Sequence, residues 1–295
     1  MQVGIFTHYL PHSADETARR VRAYGFETVQ LNLDFPDWRF APLETSAADC
    51  SRLRDTFARH GISVAAIAGY VNPVATDADR RQANAEWLNA VLRRALDLGS
   101  PYVVTETGSY HPDDDWAPHP QNATPAAYDD LCGVMKAASR IAEESGAVLL
   151  LEPSVGNVID TPEKARRLLE DVDSPALGLV ADPANYIDGG NIAQADAVLQ
   201  HLFDVIGDHI HLAHAKDVHR FNGVARERHH HPTDPALYGG VEYPSAGLGQ
   251  LNYELYVRLL ARRCPDVALI VEHLNEADIP RAKSFVDTRL AALNA

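Results

Sequence analysis

The chain has 295 residues, 46% hydrophobic and 23% charged, the balance of a folded globular protein rather than a disordered one. Forty-one acidic side chains against 26 basic ones leave a net charge of −15, which argues against nucleic acid or an anionic membrane surface as a partner. No apolar run reaches the length of a bilayer span.

Cys50, Cys132 and Cys264 are odd in number and far apart, so they read as free thiols of a reducing compartment rather than a disulfide framework. The opening MQVGIFTHYLPHSADE has no basic segment of the secretory kind. The expected location is cytoplasmic.

Eight β-rich runs recur along the chain: Val3–Thr7, Thr28–Leu33, Ser63–Ala68, Tyr102–Thr105, Val148–Glu152, Leu177–Ala181, Ile210–His214 and Ala268–Glu272. Helical stretches separate them. Ser13, Thr124 and Thr161 stand at helix starts, the last two followed by Pro125 and Pro162. The hydroxyl caps a free N–H there, and proline has none to lose. Gly25, Gly61, Gly99, Gly146 and Gly207 end helical runs shortly before strands, where a left-handed glycine is the usual stop. Apolar strands alternating with helices imply parallel pairing with the helices outside. The expectation is an α/β chain folded as a single (β/α)8 barrel domain over residues 1–295. A doubly wound open sheet is the alternative, but HYLPHS follows Thr7 in place of a glycine-rich dinucleotide turn.

In a barrel, chemistry gathers at the C-terminal ends of the strands. Strands five to eight end in LLLE with Glu152, GLVAD with Asp182, HLAH with His214 and LIVE with Glu272. Period-two alternation puts Glu152 on the face of Val148 and Leu150, and Glu272 on that of Ile270. A carboxylate closing an apolar strand is costly unless its charge is compensated. Three carboxylates and one imidazole converging near the axis make a mostly oxygen site for one divalent metal ion, Mn²⁺ first, then Mg²⁺, Co²⁺ or Zn²⁺.

The motifs LLLEP at Glu152, DPAN from Asp182, HAKD from His214, AGLGQLNY from Ala246 to Tyr253 and IVEHL around Glu272 resemble those of the xylose isomerase-like TIM-barrel superfamily, the sugar phosphate isomerase/epimerase family. The resemblance covers nearly the whole chain. It implies Glu152, Asp182, His214 and Glu272 as metal ligands, with Glu152 and Glu272 also serving as the catalytic acid–base pair. The chain departs from the ketose 3-epimerases of that group at Val158, where they carry a second Glu, and at Asn185, where they carry a His. Arg220 matches a substrate contact of those enzymes. Endonuclease IV, in the same superfamily, needs the histidine that Asn185 replaces.

The expected function is a metal-dependent isomerase or epimerase of a sugar or sugar phosphate, acting through a metal-stabilised enediolate. The alternative is a metal-dependent lyase, a dehydratase or β-eliminating enzyme on a keto-sugar or keto-inositol. A non-catalytic sugar-binding barrel is a third reading, disfavoured by the intact Glu152/Glu272 pair. Candidate substrate contacts are His8, Glu106, His111, Asn185, Lys216 and Arg220. Trp38 and Trp116 are expected to wall the sugar, Trp87 and His211 to pack in the core, and Asp217 to orient a ligand. His229, His230 and His231 read as a solvated loop. Arg220, Arg226 and Arg228 suit a phosphate. The long stretches 107–123 and 218–249 suit lids, binding loops or oligomer contacts. A small-molecule sugar is the expected partner, and a homo-oligomer is expected by analogy alone.

Overall fold

The structure is a computed structural model that describes residues 1–221, 223 and 235–294. Among these residues eight parallel strands close into one (β/α)8 barrel: β1 Gln2–Phe6, β2 Thr28–Leu31, β3 Ser63–Ala68, β4 Tyr102–Glu106, β5 Val148–Glu152, β6 Leu177–Ala181, β7 Ile210–Ala215 and β8 Ala268–Val271. Each pairs with its chain neighbour, and β1 closes on β8 from Gln2 opposite Ala268 to Ile5 opposite Val271. The outer helices are α1 Ala14–Ala23, α2 Ala47–Arg59, α3 Ala78–Leu98, α4 Pro125–Ser145, α5 Pro162–Val172, α6 Ala195–Ile206, α7 Tyr253–Arg263 and α8 Ile279–Ala291. No helix among the described residues is long and apolar enough to cross a membrane.

Local chemistry sets the helix ends. Ser13, Thr124 and Thr161 each accept a backbone N–H three residues on. Gly25, Gly61, Gly99 and Gly146 all stop helices with positive φ. Gly207 does not: its φ is −53° and the chain runs on into a short 3-10 turn, Gly207–His209, before β7. The expected left-handed stop is therefore replaced there by a tightened helix end.

The strands bury two faces. Outward side chains join the helices in the main core, with Phe26, Phe57, Leu92 and Phe203 fully buried. Inward ones form a separate cluster of Phe6, Ala66, Ala68, Val104, Leu150, Val180, Leu212 and Ile270. This cluster fills the barrel and floors its C-terminal mouth. His211 departs from its expected core position. The register slips between Leu179 and Val180, so β7 carries an extra residue there, and His211 is exposed, stacked on Tyr102 at 5.6 Å.

Candidate metal centre and cleft

Two residues beyond the floor, the inward face turns polar. Leu150 leads to Glu152, Val180 to Asp182, Leu212 to His214 and Ile270 to Glu272. Because side chains repeat every second residue in a strand, one layer of apolar floor dictates one layer of functional groups above it. All four are buried, and one donor atom from each lies within 4.8 Å of the others. His214 Nδ1 is 3.5 Å from Glu152 Oε1, from Asp182 Oδ2 and from Glu272 Oε2.

These atoms fit a metal. His214 Nδ1 and Asp182 Oδ1 are buried yet make no hydrogen bond, and Asp182 Oδ2 and Glu272 Oε1 are met by the Lys216 ammonium. Buried polar atoms left in this way call for an absent partner. Separations of 3.5 Å suit donor atoms that share one ion at bonds of about 2.0–2.2 Å. The neighbours are already arranged: Nε2 of His214 donates to Gln30 Oε1 at 2.7 Å, which turns Nδ1 toward the cluster. Gln30 Nε2 donates to the Tyr70 hydroxyl at 3.1 Å, and Tyr70 donates to Glu152 Oε2 at 2.6 Å. Asn185 Nδ2 donates to Glu152 Oε1 at 2.8 Å. Glu152 is thus held at both oxygens by neutral donors, whereas Glu272 Oε1 meets the Lys216 ammonium.

The charges are mutually dependent. Burial alone would push the Glu152 carboxyl up, but His214 and Lys216 hold it well below the usual carboxylate range. Burial pushes Asp182 up, against the opposing pull of Lys216. For His214 burial favours the neutral ring, and the Glu272 and Glu152 carboxylates overturn that preference. The field of this pocket therefore attracts positive charge. Lys216 answers part of it: the buried ammonium lies 2.7 Å from Asp182 Oδ2, 3.0 Å from Glu272 Oε1 and 3.6 Å from Glu152 Oε1. Burial opposes its charge, and the Asp182, Glu272 and Glu152 carboxylates restore it.

Above the cluster opens a cleft of about 930 Å³ whose wall includes Phe6, Tyr9, Tyr70, Trp87, Trp116, Tyr238 and Tyr243 among polar groups. Rings interleaved with acceptors and amides suit a molecule with apolar C–H faces and many hydroxyls. Of the anticipated contacts, His8, Glu106, Asn185 and Lys216 line it. Glu106 stands directly beside Glu152 in the sheet, buried, with Oε2 accepting no hydrogen bond. Burial first, then the Asp115 and Glu152 charges, raise its pKa well above the carboxylate range.

Other anticipated residues lie elsewhere. His111 and Arg220 are off the cleft wall. The His111 ring turns into its own loop, where Nδ1 accepts the Asp113 and Asp114 N–H groups, and Arg220 points outward and donates to Gly189 O. Trp38 packs at the core beside Phe40, while Trp87 packs against the core as expected and also reaches the cleft from α3. Asp217 orients no ligand. It accepts the Val218, Gly247 and Leu251 N–H groups and so shapes the loop before α7. Arg226, Arg228, His229, His230 and His231 lie outside the described residues. Residues 107–123 are tied down by Asn72, Asn122 and Asn157, whose amides bond Ser109, Gly156 and Asp115.

Sequence reasoning missed Gln30 and Tyr70. Both carried a signal. Gln30 sits inside the buried run TVQL, and Tyr70 continues the inward alternation of Ala66 and Ala68.

A family model described as xylose isomerase-like TIM barrel matches residues 18–289. A curated relative, "Probable endonuclease 4" of Methanoculleus marisnigri, is 25% identical over 229 residues, 74% of this chain and 78% of that protein. Among solved structures, a D-tagatose 3-epimerase-like protein superposes with TM-score 0.72 at 19% identity, covering 100% of this chain and 98% of that one. A xylose isomerase-like TIM barrel protein from Mycobacterium smegmatis in complex with magnesium superposes with TM-score 0.69 at 18% identity, covering 99% and 96%.

Proposed function

Because the chain belongs to the xylose isomerase-like TIM-barrel family, we propose that it is a divalent-metal-dependent sugar isomerase or epimerase with Glu152 and Glu272 as its acid–base pair. The observation that carries this reading is the ring of four buried donors, their ligand atoms converging under a cleft lined by aromatic rings and hydrogen-bonding groups. Glu152, Asp182, His214 and Glu272 hold the ion, Mn²⁺ by preference. When bound, it supplies Lewis acidity, which lowers the pKa of a C–H beside a substrate carbonyl.

The protein's own groups then divide the work. Glu272, whose Oε1 is met by the Lys216 ammonium rather than by an orienting amide or hydroxyl, takes the proton and leaves an enediolate. Glu152, fixed by Tyr70 and Asn185, faces the other side and, after taking up a proton from solvent, returns it there, while Glu272 gives its proton up to solvent. Return to the same carbon gives an epimer, and return to its neighbour gives the aldose–ketose isomer. His8, Asn185, Glu106 and Lys216 hold the hydroxyls. Asp113 and Asp114 on the wall, beside Asp34 and Asp115 that pair with Arg39 and Arg80, favour an uncharged sugar over a phosphate ester. The same charges, with Asn185 where an endonuclease IV carries histidine, disfavour DNA as substrate.

One observation favours a second reading. The Glu106 carboxyl is buried, held toward its protonated form and free at Oε2. A protonated acid there would serve a leaving hydroxyl, and the reaction would be a dehydration. Proton NMR of the Mg²⁺-loaded protein in D₂O with mixed ketoses and 3-keto sugars separates the readings. Deuterium beside a carbonyl in an isomeric product supports the isomerase or epimerase. Deuterium with loss of water supports the lyase. No exchange with any metal counts against both.

A further inference from the structure

Lys216 follows His214 by two residues, so its side chain enters the barrel on the same inward face, one layer above the imidazole. Its exposure is only 4%. The ammonium shares two oxygens with the imidazole: Glu152 Oε1, 3.6 Å from Nζ and 3.5 Å from His214 Nδ1, and Asp182 Oδ2, at 2.7 Å and 3.5 Å. Those are the oxygens that a metal ion held by His214, Glu152 and Asp182 would take. The amine therefore sits on ligand atoms, not beside them.

Two cations on the same pair of oxygens repel across a short, poorly screened distance. Which of them yields is set by tethering. The Lys216 backbone is fixed, because Tyr253 donates to its carbonyl at 2.8 Å and the residue pairs with Ser245. The four-carbon stem is free to rotate, and Lys216 forms part of the cleft wall. Rotation about that stem would carry the ammonium off the carboxylates and into the cleft without moving the backbone.

We propose that Lys216 is an internal counter-ion of the metal centre: its ammonium occupies the Asp182 and Glu152 oxygens in the metal-free protein and is displaced into the cleft when a divalent ion binds. In the displaced position it lies where a substrate oxygen that gains negative charge would be met by a hydrogen-bond donor. The lysine thus keeps three buried carboxylates compensated before metal arrives and is released for substrate only once the centre is filled. This rests on the metal-centre reading given above.

Isothermal titration of Mn²⁺ into the chelator-stripped full chain tests it, with Lys216→Met and Lys216→Gln compared against wild type. Removing the competing ammonium is expected to tighten Mn²⁺ binding at least about tenfold in both variants, with turnover lowered. Equal or weaker binding by the folded variants would overturn the proposal. A crystal structure of the Mn²⁺-loaded wild type gives the second readout and needs no variant to fold. The contact between Nζ and Asp182 Oδ2 is expected to be broken there, and its retention beside a bound ion would overturn displacement while leaving the metal centre intact. If wild type and variants alike bind none of Mn²⁺, Mg²⁺, Co²⁺ and Zn²⁺, the metal-centre reading fails and this inference with it.

Discussion

Gln30 Oε1 lies 2.7 Å from Nε2 of His214, across the barrel mouth and 184 residues away in the chain. The contact belongs to a directed chain: His214 donates to Gln30, Gln30 to Tyr70, and Tyr70 to Glu152. One amide therefore sets the tautomer of an imidazole ligand and, through a phenol, the orientation of a carboxylate ligand. Gln30→Leu should weaken Mn²⁺ binding about 10–100-fold, the usual effect of losing a partner that orients a ligand. Titration calorimetry measures it. Affinity equal to wild type would show that the relay does not support the centre.

The same relay makes the two glutamates unequal, and substitution should reveal it. Glu272→Gln removes the carboxylate that no amide or hydroxyl pins and should cut kcat by about 10²–10⁴-fold, with solvent deuterium no longer entering the substrate. Glu152→Gln should also stop turnover, and with a single acceptor oxygen it keeps only one of the Asn185 and Tyr70 contacts, so metal affinity falls with it. Wild-type kcat in either variant would remove that residue from the acid–base pair.

The sequence made these glutamates legible because each follows an apolar run whose alternation fixes its direction: Glu152 after Leu150, Glu272 after Ile270. The barrel was legible for a related reason, since burial on both faces makes a strand continuously apolar and helix stops mark its start. Residues beyond the strands were legible only in part: His8, Trp116 and Asn185 line the cleft, but others do not. Whether His111 faces the cleft or its own backbone depends on loop torsions that no periodicity encodes, and Arg220 and Trp38 fail in the same way. His211 was misplaced by one extra residue in a register, which sequence does not display. Gln30 and Tyr70 were overlooked although strand alternation pointed them inward, because neither is a residue type that announces metal chemistry.

Glu276 joins the last βα unit to the first. It accepts from Arg20 at 2.6 Å and Tyr24 at 3.0 Å, and pairs with His12 at 2.8 Å. Burial raises its pKa, but the hydrogen bonds from His12, Arg20 and Tyr24 outweigh burial and leave it below the ordinary 4.5. A lowered pKa means that the folded state favours the carboxylate. Its stabilisation is complete above about pH 4.5 and is lost as pH falls through the lower, folded value. Glu276→Gln should cost about 1–3 kcal/mol at pH 7 and less as the solution is acidified. Urea unfolding at several pH values measures this. A cost independent of pH down to acid unfolding would count against the assignment.

Gly249 is where the loop before α7 has no room for a side chain. A Cβ there would stand 2.3 Å from Asp217 Oδ1 and 2.4 Å from Val218 O. The Asp217 carboxylate is packed inside the turn and gathers the Val218, Gly247 and Leu251 N–H groups. The loop leads into α7, whose Tyr256 hydroxyl reaches the carbonyls of both Ala181 and His214, next to and at two of the proposed ligands. Gly249→Ala must push the loop off Asp217, leaving a buried carboxylate short of donors and loosening the helix that pins β6 and β7. A cost of about 1–3 kcal/mol follows from such overpacking, and in a domain of this size that lowers Tm by several degrees. Metal affinity should drop in the same variant, because the ends of the strands that carry Asp182 and His214 lose their brace. Calorimetric melting with and without Mn²⁺ measures both. A variant with wild-type Tm would mean that the turn opens without strain, and lowered Tm with unchanged metal affinity would mean that α7 holds the fold but not the ligands.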